Sequence, residues 1–219
     1  MDYLETTIII LLLLLIFSIF SNILSYVFVS FRKKESLCSF SSKSPLLFPT
    51  LIIGPISLVI GFQIFKINLI FPVHFFVGRM ELIKSSIIPS LILLVSSGLL
   101  TMTYQTVSRE YFFWKSKPFS LAIESLGRSP RKELFSLVFL KSLTESWSYS
   151  LPWIFGELII VEAVFNAPGL GYNAWNLAKQ RDFYGLIFIL IYLSIIYFLF
   201  FGASFLLNRW LGKRLESYV

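Results

Sequence analysis

Few residues in this chain are equipped for chemistry, and their types narrow what that chemistry is. Cys38 is the only cysteine and His74 the only histidine in 219 residues. An intrachain disulfide is therefore excluded, and a zinc site would have to be completed by carboxylates. The plainer reading makes Cys38 a loop thiol and His74 an outer-loop or interfacial residue. No G-x-x-x-x-G-K-[ST] run is present, so the chain does not itself cradle nucleotide phosphates. What remains are charges embedded in apolar sequence. Lys141 and Glu145 are spaced to pair on one helix face. Glu157 and Glu162 stand deeper in the same apolar stretch, where ionisable groups face a cavity or a partner. They have two readings: members of a translocation path, or interfacial groups, with Glu162 bracing the turn that follows it. Neither a catalytic set nor a metal-ligand set emerges, and nothing predicts an enzyme.

The elements that position these residues are apolar helices. The chain is 56% hydrophobic and 18% aromatic, with 24 Phe and only 14% charged residues, against roughly 25% charged in soluble domains. This composition predicts an all-α, polytopic membrane helix bundle forming one domain over residues 1–219. A span needs roughly 20 mostly apolar residues, and five stretches qualify: 7–31, 46–65, 85–107, 143–164 and 185–207. The fourth is marked by polar residues, since Lys141, Glu145, Glu157 and Glu162 interrupt residues 134–164 and Pro152 can kink them. The part before residue 143 reads as an interfacial helix. Asp2 and Glu5 precede the first span where a cleaved signal would carry Lys or Arg, so that span is expected to stay in the membrane.

Lys and Arg set the expected orientation. Arg32, Lys33, Lys34 and Lys43 follow the first span. Arg109, Lys115, Lys117, Arg128, Arg131 and Lys132 follow the third, and Arg209, Lys213 and Arg214 follow the fifth. These alternate loops hold thirteen of the 19 basic residues, which predicts an outer N-terminus and a cytoplasmic C-terminus. The formal charge of +7 is thereby explained by helix ends and anionic lipid, with no nucleic acid.

The longest basic segment, residues 108–133, contains Pro118, Gly127 and Pro130 and so breaks into short helices. Phe119, Ala122 or Ile123, and Leu126 fall at helical spacing. Gly127 ends that helix in a left-handed turn, and Ser129 as N-cap with Pro130 at the first position opens the next. Such a stub, apolar on one edge, suits docking on a partner. Its plainer reading is an ordinary basic connector. Further on, Pro168 followed by Gly169 predicts a type II turn, with Gly169 at positive φ.

Two runs carry a resemblance. Ala122 to Phe135, AIESLGRSPRKELF, and Val161 to Gly171, VEAVFNAPGLG, resemble the cytoplasmic coupling loop and the outer F-x-x-P-G-L-G turn of permease subunits of dipeptide, oligopeptide and nickel ABC importers. Ala122, Glu124, Leu126 and Gly127 fall on the E-A-A-x-x-x-G loop, with Arg128, Pro130 and Arg131 beside it. Ile123 and Ser125 replace small residues. Glu162, Phe165, Pro168, Gly169, Leu170 and Gly171 fall on the turn, and Arg181 to Tyr184 resemble the segment after it. The resemblance spans roughly residues 89–218 and implies a type I importer permease in a bacterial inner membrane. It implies as partners two ATPase subunits, which bind the ATP and Mg, a second permease and an extracytoplasmic substrate-binding protein. Members of the peptide and nickel type commonly carry one more N-terminal span and a large outer region, which this chain is expected to lack. A membrane scaffold keeping the same fold, or a secondary carrier with charges in its spans, are the other classes considered.

Overall fold

The computed structural model describes residues 3–31, 50–63, 70–71, 79–127 and 131–216, and among these all regular structure is helical. Helix α1, Tyr3–Phe31, carries no charge after Glu5. At 1.5 Å per residue its 29 residues reach about 44 Å, longer than a bilayer core. Helices α2, Thr50–Gln63, and α3, Arg79–Ser96, pack together. Next come α4, Leu99–Lys115, and the short α5, Pro118–Ser125. The remaining three are α6, Arg131–Val164, α7, Leu170–Gln180, and α8, Phe183–Glu216. Cys38, His74 and the basic residues from Arg32 to Lys43 lie outside the described residues, as do Arg128, Ser129 and Pro130.

Among the described residues two helices, α1 and α8, are long and apolar enough to cross a membrane, or three if α3 and α4 form one bent span. This membrane character matches the composition. The five spans read from sequence go further than the helices themselves do. Among the described residues α2 has 14, short of the roughly 20 a span needs, and the two ends of the stretch 46–65 lie outside the described residues. Helix α6 has the length but carries Lys141, Glu145, Glu157 and Glu162. The stretch 85–107 is not one rod either: it breaks at Ser97 and Gly98, with Gly98 at φ 69°. Conversely, the expected division of residues 134–164 into two pieces does not occur. No Gly or Pro interrupts α6 between Arg131 and Leu151, and the helix passes through Pro152 unbroken, as membrane helices often do when the freed carbonyl is satisfied elsewhere.

The chain packs as two compact units. One comprises Met1–Phe17, Leu47–Gly98 and Pro152–Leu199, and the other Ser18–Leu46, Leu99–Leu151 and Phe200–Val219. In the first, Leu170 and Ala174 of α7 bury against Ile189 and Leu193 of α8. In the second, Tyr26 of α1 sits edge-on to Tyr111 at 5.7 Å and to Phe135 at 5.0 Å, within a cluster containing Val107, Trp114 and Val138.

Candidate functional site

In the first unit, α6 ends in a turn that its own sequence dictates. The Ala167 N–H donates to the Glu162 carbonyl at 2.9 Å and the Asn166 N–H to Ala163 at 3.4 Å. This is a Schellman closure, and its left-handed residue is Asn166 at φ 54°. Asn tolerates this conformation better than most residues because its short polar side chain bonds locally. The positive torsion therefore lies before Pro168, and the expected type II turn with Gly169 at positive φ is corrected: Gly169 is extended, φ −112° and ψ 178°, and precedes α7 as its N-cap.

Glycine is needed at 169 for space. A Cβ there would collide with the Glu162 carboxyl group, and one on Gly171 would stand 2.7 Å from the Ile159 Cα. The close approach lets the fully buried Glu162 carboxylate reach the start of α7. Its Oε2 accepts the Gly171 N–H at 2.7 Å and the Tyr172 N–H at 3.2 Å, and its Oε1 accepts the Thr7 hydroxyl at 2.8 Å. Thr7 in turn accepts the Leu170 N–H at 2.8 Å. Helix N-termini present unsatisfied N–H groups and a positive dipole end, so a carboxylate is the fitting partner. Phe165 is buried and its carbonyl accepts the Phe71 N–H at 3.1 Å. Glu162, Phe165, Gly169, Leu170 and Gly171 are thus gathered in one built turn through Pro168, and Glu162 braces it.

Glu157 does the same work for another helix. Its Oε2 accepts both the hydroxyl and, at 3.3 Å, the N–H of Thr50, the first residue of α2. Glu157 therefore has a structural partner in Thr50 through one of its two oxygens. Thr7 and Thr50 were not singled out as site residues from sequence; the available signal was a threonine at the start of an apolar run.

In the second unit, the expected Lys141–Glu145 pair gives way to pairs across helices. Arg109 of α4 bonds Glu145, and Lys141 lies 3.5 Å from Glu110 of α4. Lys141 and Glu145 thus each face an opposite charge on α4, and that attraction offsets part of the cost of taking these groups out of water. Asn22 of α1 donates to the Ser142 hydroxyl at 3.0 Å, and the Thr144 hydroxyl donates to Asn208 of α8 at 2.6 Å.

The stub is also partly as expected. Residues 108–115 belong to α4, with Ser108, Glu110, Tyr111 and Trp114 buried, so the connector is shorter than 108–133. Helix α5 begins at Pro118, where a missing N–H costs nothing. Ala122 and Glu124 lie on it, and Arg131 opens α6. Leu126 follows α5 and is 75% exposed, and Gly127 adopts φ 71°, the left-handed turn read from sequence. A Cβ on Gly127 meets nothing within 4 Å, so its replacement costs conformation only. Gly127→Val is expected to destabilise the stub by about 1 to 3 kcal/mol, and Gly127→Asn by less. Limited proteolysis between α5 and α6 reads this difference, and equal resistance of the Val variant and the native chain would remove it.

No protein-family model matches the chain, and no curated protein matches it either.

Proposed function

We propose that the chain is a membrane-spanning permease subunit of an ATP-driven ABC importer, carrying peptides, nickel chelates or a related small solute across a bacterial cytoplasmic membrane. The observation that carries this reading is the turn itself. In the V-E-x-V-F-x-x-P-G-L-G run, the acid and both glycines each have a structural task, which supports reading the run as the importer turn it resembles. The α5 stub supports it second: a short helix with exposed Leu126 and a glycine hinge follows α4 without extending a span. The occupation of Glu157 and Glu162 at helix ends speaks against a secondary carrier, which needs titratable groups free in its spans.

In this reading the five stretches form a type I permease bundle, with the N-terminus outside. The partners are two ATPase subunits with ATP and Mg, a second permease and a substrate-binding protein. ATP closure moves the stub formed by Ala122, Glu124, Leu126, Gly127, Arg128, Pro130 and Arg131, and the spans tilt to open the path outward. The protein should copurify from mild detergent with an ATP-hydrolysing chain identified by mass. A cysteine at Ser125 should crosslink to that chain with a yield that changes when ATP is trapped, and Gly127→Val should uncouple uptake while leaving the chain in the membrane. A Ser125 cysteine freely labelled in the intact assembly, with no ATPase recovered, transfers the reading to a membrane scaffold.

A further inference from the structure

Helix α7 returns to α8 through a two-residue elbow. The Arg181 N–H donates to Ala178 and the Asp182 N–H to Leu177, closing α7 with Arg181 in the left-handed region at φ 58°. Asp182 then caps α8, its Oδ1 accepting the Gly185 N–H at 3.1 Å. The elbow therefore stands at the start of α8, the more exposed of the two spanning-length helices among the described residues. Only 11% of the spanning window of α8 is buried, and Phe183, Ile187, Phe188 and Ile191 open it with exposed side chains. If that face meets acyl chains, the residues at the elbow lie at headgroup level.

Those residues have the chemistry of that level. Trp175 and Tyr184 are exposed, and amphipathic rings are enriched at membrane interfaces. The Lys179 ammonium lies over the Trp175 ring, 5.3 Å from its centroid. Neither Lys179 nor Arg181 makes an ion pair among the described residues, and the one carboxylate beside them, Asp182, is engaged by Gly185. Two unpaired cations flanked by aromatic rings, at the mouth of a lipid-facing helix, match a phosphate with acyl chains attached.

We propose that the α7–α8 elbow is a binding site for the phosphate of an anionic phospholipid, held by Lys179 and Arg181 with Trp175 and Tyr184 as interfacial anchors. Arg offers a bidentate fork and Lys a point charge to phosphate oxygens. A free phosphate would leave the two rings and the adjoining α8 face without a role. The site is independent of what the chain transports.

The test uses the full chain in nanodiscs of equal parts phosphatidylcholine and phosphatidylglycerol, with only one of the two lipids brominated on its acyl chains. The Trp175 emission is taken as the difference between the native chain and Trp175→Phe. Brominated phosphatidylglycerol should quench it more strongly than brominated phosphatidylcholine. The underlying local enrichment is up to roughly 30-fold at low salt, since each basic residue near an anionic surface contributes about 1 kcal/mol, and it should shrink as salt is added. The double variant Lys179→Gln, Arg181→Gly should lose the preference while keeping overall quenching, and glycine at 181 relieves the left-handed residue, so misfolding does not mimic the loss. Equal quenching by the two lipids in the native chain overturns the proposal, as does a preference that survives in the double variant. Absence of quenching by either lipid also overturns it and leaves the surface to a protein partner.

Discussion

Replacing Glu162 by alanine should be among the most damaging single changes in the first unit. It removes the acceptor for the Gly171 and Tyr172 amides and for the Thr7 hydroxyl in a fully buried position. An orphaned buried donor costs about 1 to 3 kcal/mol, and Thr7 retains a second acceptor in the Tyr3 carbonyl at 3.2 Å. The expected loss is therefore about 3 to 5 kcal/mol, dominated by the two amides. Glu162→Gln should cost much less, because its carbonyl oxygen can face the α7 amides while its amide group donates to Thr7. The measurement is thermal unfolding in detergent together with amide exchange at Gly171 and Tyr172. Native-like protection of those two amides in the alanine variant would show that the carboxylate does not hold the turn.

Gly171→Ala is expected to come second. Its Cβ meets the Ile159 Cα at 2.7 Å and the Glu162 Oε2 at 3.0 Å, and a backbone atom near the C-terminal end of α6 cannot swing aside as a side chain does. Helix α7 must move away, which lengthens the bond from its own N–H to Glu162. Overpacking of this kind costs about 1 to 3 kcal/mol, and the weakened hydrogen bond adds to it. Gly156, also on α6, is the control: a Cβ there meets nothing within 4 Å, so Gly156→Ala should be neutral or stabilise by up to about 1 kcal/mol. Equal unfolding temperatures for the two alanine variants would mean that the close approach of α7 to α6 carries no weight.

Much of this is legible in the sequence. The run from Val161 to Gly171 announced a braced turn because an acid, a Pro-Gly pair and a second Gly stood together at the end of an apolar stretch. Gly127 announced a left-handed break because it closed a short helical pattern. Some of the departures share one cause, which is that partners distant in sequence outweigh local rules. Lys141 and Glu145 have ideal spacing on one helix, yet each is held by a charge on α4. Gly169 follows a proline and reads as the left-handed residue of a turn, yet Asn166 takes that role and Gly169 serves the approach of Glu162. Within the run Leu99 to Val107, nothing warned that the preceding Gly98 would end one helix and start another, since a lone glycine in apolar sequence is often carried through. The bond between Glu157 and Thr50 joins residues 107 apart, and no periodicity encodes that.

The two capped carboxylates also bear on how the chain enters the bilayer. Taking a charged group out of water costs on the order of several kcal/mol unless it is paired, so an acid on a nascent helix must find its donors promptly. Glu162 finds two of them nine and ten residues downstream. A loop of that length closes in about 10 to 100 ns, whereas synthesis adds only about 5 to 20 residues per second. Its third donor, Thr7, and the Thr50 that serves Glu157 belong to helices already made. Translation order therefore matches the order in which these charges are satisfied, and both α6 carboxylates can have their donors before α8 has left the ribosome.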